Sequence, residues 1–297
     1  MSYFNNQQLA ALIPSLVLIF ASIIFHLKEK PKTSIALLIL GTLLIRFFAA
    51  SLDPFLNLWD ERFHALVAKN LLTDPLKPTL YDNPVFDYVH DHWDRAHIWL
   101  HKQPLFLWQI ALCFKIFGVS ELSLRIPSII LSTIWVYLCY RIGKIAINER
   151  VGYYTGFLTA LSYYLTELVA GRVPVDHNDI CFLFYITASI WAWTEYTFTG
   201  KKYWIYLIGL FSGAAILTKW LVGLLVYAGW GLSILMDREK RGKTGVYKDL
   251  IISLLITLAI FIPWQIYILI RFPREALIEY AYNSRHLYEA IEGHYGT

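Results

Sequence analysis

Asp60 and Glu61 stand side by side in Leu58-Trp59-Asp60-Glu61-Arg62-Phe63-His64-Ala65. On a helix, neighbours point about 100° apart, so the two carboxylates cannot address one atom in the same way. His64 follows Asp60 by four residues, which places both on one helical face. A carboxylate beside an imidazole can take a proton from a hydroxyl as a general base. The competing reading is an acidic first turn that complements the helix dipole. Three cations extend the candidate set. Lys102 precedes a short apolar run, Lys219 interrupts a long one, and Arg172 follows Gly171 at the start of a polar turn. A lipid phosphate is the natural anion for cations held at a bilayer surface. Snorkelling of each side chain to the headgroups is the alternative.

His90-Asp91-His92-Trp93-Asp94, with His97 and His101, has the density of a metal box. The alternation has no particular helical geometry, and a motif this loose is weak. Polar loop packing, with some residues lining a substrate groove, is the plainer reading, and no metal is assigned.

The elements around these residues read as membrane helices. Charged residues make up 16% of the chain and hydrophobic residues 57%, against roughly 25% charged in soluble domains. Mean hydropathy is +0.47. Apolar runs fall near 9–27, 34–52, 124–145, 151–170, 179–199 and 249–270. The stretch 203–236 is too long for one span and is interrupted at Thr218-Lys219-Trp220, so it reads as a hairpin of two. Together this predicts about eight transmembrane helices in one all-α domain. The first run has no preceding positive charge and no small-residue cleavage site, so it reads as a retained helix.

Basic clusters orient the bundle. Lys28, Lys30 and Lys32, then Arg141, Lys144 and Arg150, then Lys201 and Lys202, then the 237–249 loop all fall on one side of this threading. That side should be cytoplasmic. The 53–123 loop, the turn at Arg172 and Lys219 then share the outer side. Pro104–Phe117 has 14 residues and would move later clusters outward if it spanned, so it reads as an interfacial or re-entrant helix, with a short true span as the alternative. Trp59–Leu72 reads as a second interfacial helix, with Trp59, Phe63, Leu66, Val67 and Leu71 on its apolar face. Cys113, Cys139 and Cys181 suit neither a disulfide framework nor a zinc site. No dense basic face suggests a nucleic acid as partner.

The chain resembles the membrane-embedded glycosyltransferases of the GT-C fold, in the group of protein O-mannosyltransferases and bacterial lipid A aminoarabinose transferases. The likeness lies in the Asp60–Glu61 segment, in His101-Lys102-Gln103-Pro104-Leu105-Phe106-Leu107-Trp108, in Phe117-Gly118-Val119-Ser120-Glu121 and Leu124-Arg125-Ile126-Pro127-Ser128, in Arg172 with a downstream Asp, and in Leu217-Thr218-Lys219-Trp220. It covers about 34–297. Gln103 replaces one Pro of the family pattern, and Trp220 replaces a Gly.

The resemblance implies a GT-C helical bundle that moves a sugar from a polyprenyl-phosphate carrier to a protein, lipid A or glycan acceptor, with inversion and without a required cofactor or metal. The site would face the outer or periplasmic side of the inner membrane. Asp60 matches the family's leading acid and would be the base. Glu61 would orient the acceptor or Arg62. Lys102, Arg172 and Lys219 would meet the phosphate, with His64 and His101 beside the substrate. Asp176 or Asp179 would be a second acidic site, and their spacing from Arg172 does not decide between them. The resemblance also implies further helices beyond 297, so the sequence reads as a C-terminally incomplete domain. A transporter or flippase for lipid-linked sugars is the other function class. It would need charges along the middle of its spans, whereas the acids noted there, Glu167 and Glu195, lie near span ends.

Overall fold

A computed structural model describes residues 4–58, 60–89, 92–172, 177–285 and 288–290. Among them the protein is an all-α bundle. α1 (Asn6–Leu27) and α2 (Pro31–Ala50) form an N-terminal hairpin. α3 (Asp60–Asn70) and α4 (Pro104–Phe117) bracket a long loop. α5 (Glu121–Ala146), α6 (Glu149–Leu161), α7 (Tyr163–Ala170), α8 (His177–Thr199) and α9 (Tyr203–Lys219) follow. A 3-10 turn (Trp220–Leu224) leads to α10 (Leu225–Met236), then α11 (Arg238–Arg241), α12 (Thr244–Arg271) and α13 (Pro273–Arg285).

Five stretches are long and apolar enough to cross a membrane: Asn6–Leu27, Pro31–Ala50, Glu121–Ala146, Tyr203–Met236 and Thr244–Arg271. Their outward residues are apolar, as at Val17, Phe20, Leu255 and Ile270, while Ser, Thr and Gly turn inward. That is how helices associate in lipid, where close backbone approach and buried hydroxyls replace a hydrophobic drive. Gly209 and Gly213 let α9 lie directly against α12: a Cβ at Gly209 would stand 2.6 Å from the Ser253 carbonyl oxygen.

Tyr203–Met236 does fold back on itself. Ser212 Oγ donates to the Gly223 carbonyl at 2.6 Å, and Trp204, Ile208, Val226 and Trp230 share one apolar cluster.

The single span predicted at 151–170 is two helices. Ser162 turns out of helical geometry and N-caps α7 through its hydroxyl. The carbonyls freed by this break would be costly in lipid. Arg46, buried in α2, supplies donors to Thr159, Ala160 and Ser162 at 3.1, 3.3 and 3.4 Å, and to the Thr166 hydroxyl. In the sequence, 34–52 reads as a plain apolar run in which Arg46 shows no partner.

Polar side chains gather at the two ends of the bundle. One end holds Arg141 with Glu195, Lys144 with Glu149, and Lys202 with Asp249. The other holds Asp60 with Lys102, Glu61 with Arg125, Asp179 with Lys219, and His101 with Glu279. The α4 helix packs into this second end, burying Phe106, Leu107, Ile110 and Phe114. The protein core, more than any outer leaflet, receives its apolar face.

Candidate active site

The first turn of α3 separates the two adjacent acids. Asp60 is partly exposed, and its Oδ1 lies 3.9 Å from Lys102 Nζ. Glu61 is buried, with 2% of its side chain exposed. Its partner is Arg125, from the start of α5, whose side chain is fully buried.

Every N–H of this guanidinium has an acceptor. Nε donates to Glu61 Oε1 at 2.8 Å and Nη2 to Oε2 at 3.1 Å. Nη1 donates to the carbonyls of Ala50 and Asp53, and Nη2 also to that of Phe55. Glu61 in turn accepts from the Asn57 backbone and side-chain amides at 2.6 and 3.2 Å. It also accepts from His177 Nε2 at 2.9 Å, and the other nitrogen of that ring meets Ser128 Oγ at 3.3 Å. Burial alone would raise the Glu61 carboxyl. The hydrogen bonds and charges of His177 and Arg125 outweigh it and hold the group down at about 2.

The Glu61 side chain turns to Arg125 and His177. It is the buried anion that ties the 50–57 segment and α3 to α5 and α8. In the sequence, Arg125 stands in a family segment without an assigned role. The legible signal was an arginine at the start of the long apolar run 124–145, a placement that requires a partner.

His64 turns inward on the same side of α3 as Glu61. The buried stripe of α3 runs through Glu61, His64, Val67 and Ala68, rotated from the predicted face, whose Trp59 lies outside the described residues. His64 is fully buried, edge-on to Trp99 and Phe106 at ring distances of 5.8 and 5.7 Å. It belongs to the core under the site.

Lys219, at the end of α9, reaches Asp179 Oδ1 at 2.7 Å. Asp179 lies in the first turn of α8, two residues after His177. That turn therefore touches both the Glu61 network and the Lys219 pair. Gly171 closes the same corner. It caps α7 at φ +69°, and a Cβ there would stand 2.6 Å from His177 Nε2 and 2.8 Å from Glu61 Oε1. Arg172, next in the chain, is exposed. Asp176 lies outside the described residues.

The loop histidines disperse. His101 Nδ1 meets Glu279 Oε1 of α13 at 3.1 Å, and its ring stacks on Trp93 at 4.6 Å. His97 Nδ1 meets the Tyr81 carbonyl at 2.7 Å. His90 and Asp91 lie outside the described residues. Trp93, Trp99, His101, Glu275, Glu279 and Tyr282 line a cleft between this loop and α13. Glu279 carried no sequence signal that linked it to the loop.

The end of the bundle thus carries a half-exposed carboxylate beside a lysine, a second acid–lysine pair, and a buried anion network that fixes the helix starts around them. Such a rim can deprotonate a hydroxyl and hold an anion. Comparison with known proteins agrees with this architecture. ArnT from Cupriavidus metallidurans in the apo state has a TM-score of 0.65 at 17% identity, covering 82% of this chain and 43% of that one. The same protein bound to undecaprenyl phosphate gives 0.62 at 17% identity, covering 80% and 42%. The oligosaccharyltransferase AglB from Archaeoglobus fulgidus, in complex with an inhibitory peptide and a dolichol-phosphate, gives 0.53 at 16% identity, covering 82% and 31%. The shared fold is GT-C.

In sequence, an uncharacterised protein of Aquifex aeolicus (strain VF5) is 32% identical over 173 residues, 57% of this chain and 31% of that protein. The undecaprenyl phosphate-alpha-4-amino-4-deoxy-L-arabinose arabinosyl transferase 2 of Pseudomonas fluorescens (strain Pf0-1) is 23% identical over 242 residues, 77% of this chain and 39% of that protein. The chain spans about a third of the length of these two relatives and under half of the solved structures it matches. Residues 101–267, more than half of the chain, match the family model described as dolichyl-phosphate-mannose-protein mannosyltransferase. The segments from Lys102 through Arg125 and His177 to Lys219 all fall inside that match, and the chain belongs to this family of membrane glycosyltransferases.

Proposed function

We propose that this chain carries the catalytic rim of a glycosyltransferase that moves a sugar from a polyprenyl-phosphate carrier to an acceptor hydroxyl at the outer face of the inner membrane. The observation that carries this reading is the division of labour between Asp60 and Glu61. One acid of the pair is consumed by Arg125 and His177, which leaves Asp60, half-exposed beside Lys102, as the group able to act on a substrate.

In this scheme the acceptor O–H gives its proton to the Asp60 carboxylate. The acceptor oxygen attacks the anomeric carbon from the face opposite the phosphate. The bond from that carbon to the phosphate oxygen breaks, its electron pair leaves with the polyprenyl phosphate, and the configuration inverts. Lys102, Lys219 and the exposed Arg172 offer positive charge to the departing phosphate, and charge placed where it develops is the largest usual contribution to such catalysis. Asp179 holds Lys219 until an anion replaces it. His101, tied to Glu279, belongs to the acceptor side of the same rim. The acceptor is a protein, a glycan or lipid A.

Purified protein in sealed vesicles with a labelled polyprenyl-phosphate sugar separates this reading from that of a flippase. Transfer of label to an acceptor supplied outside, with release of polyprenyl phosphate, supports it. Equilibration of intact carrier across the bilayer without transfer overturns it.

A further inference from the structure

Two observations meet at the Lys219 turn. The first is backbone geometry. The residue after Lys219 has φ 58° and ψ −160°, a region that belongs to glycine because a Cβ is strained there. Here it is Trp220. Such strain persists only where surrounding contacts over-determine it, and it gathers at functional sites.

The second is a continuous run of side chains leading away from that indole. The Trp220 ring meets the Tyr280 ring of α13 edge-on at 5.3 Å. Tyr280 Oη donates to Gln265 Oε1 of α12 at 2.7 Å. Gln265 Nε2 donates to Gln103 Oε1 at 2.9 Å. Gln103, buried at the start of α4, directly follows Lys102. The run therefore begins beside one lysine of the proposed phosphate site and ends beside the other. It is set against the apolar cluster of Leu217, Trp264 and Ile268, where a satisfied polar network specifies one arrangement and a broken one is costly. The Gln265 amide is used at both ends, as acceptor from Tyr280 and donor to Gln103, so neither bond can turn over without breaking the other.

We propose that Trp220, Tyr280, Gln265 and Gln103 are positioning residues that lock the Lys219 turn to the Lys102 segment through α12 and α13. The backbone strain at Trp220 is maintained to keep its indole on Tyr280. The consequence for donor affinity rests on the proposed function, in which both lysines meet the carrier phosphate. The coupling between the two segments does not.

The test uses the whole chain in nanodiscs with two readouts, amide exchange at 218–222 and binding of undecaprenyl phosphate. Gln103→Leu, 117 residues away in sequence, is expected to speed exchange at that turn about tenfold, the scale of one hydrogen bond. Tyr280→Phe removes one hydroxyl, and it reads the same exchange should Gln103→Leu not fold. The double variant should do no more than either single one, because both cut the same run. Trp220→Gly should relieve the backbone, keeping or raising the thermal midpoint, while exchange rises and undecaprenyl phosphate binds about tenfold more weakly. Lys102→Ala and Lys219→Ala read the phosphate site by itself. If they bind the lipid as wild type while Gln103→Leu still speeds exchange, the phosphate reading fails and the positioning run stands. Unaltered exchange in both Gln103→Leu and Tyr280→Phe, or additive effects in the double variant, overturns it.

Discussion

Arg125 Nε and Glu61 Oε1 meet at 2.8 Å across 64 residues of sequence, both side chains sealed from solvent. Removing one partner of a buried pair leaves an uncompensated charge and costs about 3–5 kcal/mol. Glu61→Gln and Arg125→Ala are therefore expected to lower the thermal midpoint in detergent sharply and to lose activity with the fold. Wild-type stability in both would contradict the tie described here.

The same carboxyl gives a pH signature. Its folded value of about 2 lies below its ordinary 4.5. A depressed carboxyl contributes stability that is fully present above its ordinary value and is lost as pH falls through the folded one. The thermal midpoint should decline between about pH 4.5 and pH 2 by a component that Glu61→Gln removes.

Much of this was legible in the sequence, for identifiable reasons. Length and hydropathy anticipated the helices at the long apolar runs, with 151–170 broken in two at Ser162, because lipid forces backbone groups to bond within the segment. The reversal at Lys219 was visible as a charge inside an apolar run. Asp60 and Lys102 each stood out in a family segment, but their pairing at 3.9 Å did not. What stayed hidden depends on which side of a helix meets the core. Periodicity assigned α3 an apolar face, but Glu61 and His64 were drawn inward by Arg125, His177 and aromatic rings from distant segments. The split at Ser162 was hidden because its compensation comes from Arg46, more than a hundred residues earlier. The partners on α13, Glu279 and Tyr280, had no local motif at all.

Gly171 offers a steric test of the same corner. Alanine there meets both His177 and Glu61 within 3 Å and sits at φ +69°. The backbone strain alone costs roughly 1–2 kcal/mol, and neither neighbour can retreat without breaking the network. Gly171→Ala should therefore destabilise by more than that figure. Gly229→Ala, inside α10 with nothing near its Cβ, is the control. It should be neutral or stabilising by up to about 1 kcal/mol.

The two-ended distribution of charge predicts topology. Cysteines placed singly at 60, 102, 172 and 219 in a background lacking Cys113, Cys139 and Cys181 should react with an impermeant reagent from outside. Cysteines at 141 and 240 should react only after the membrane is opened, as the basic clusters require. Labelling of 172 from the cytoplasmic side would overturn the assignment of the site to the outer face.

The most direct test of the account is the turnover of Asp60→Asn with a polyprenyl-phosphate sugar and its acceptor. Asparagine keeps the size of the side chain and can still cap a helix start, but it cannot take the acceptor proton. The account predicts a folded protein with a wild-type thermal midpoint that binds the carrier lipid and transfers sugar about 10²–10⁴-fold more slowly. Transfer at a rate close to wild type would contradict it and leave Asp60 a helix-starting carboxylate.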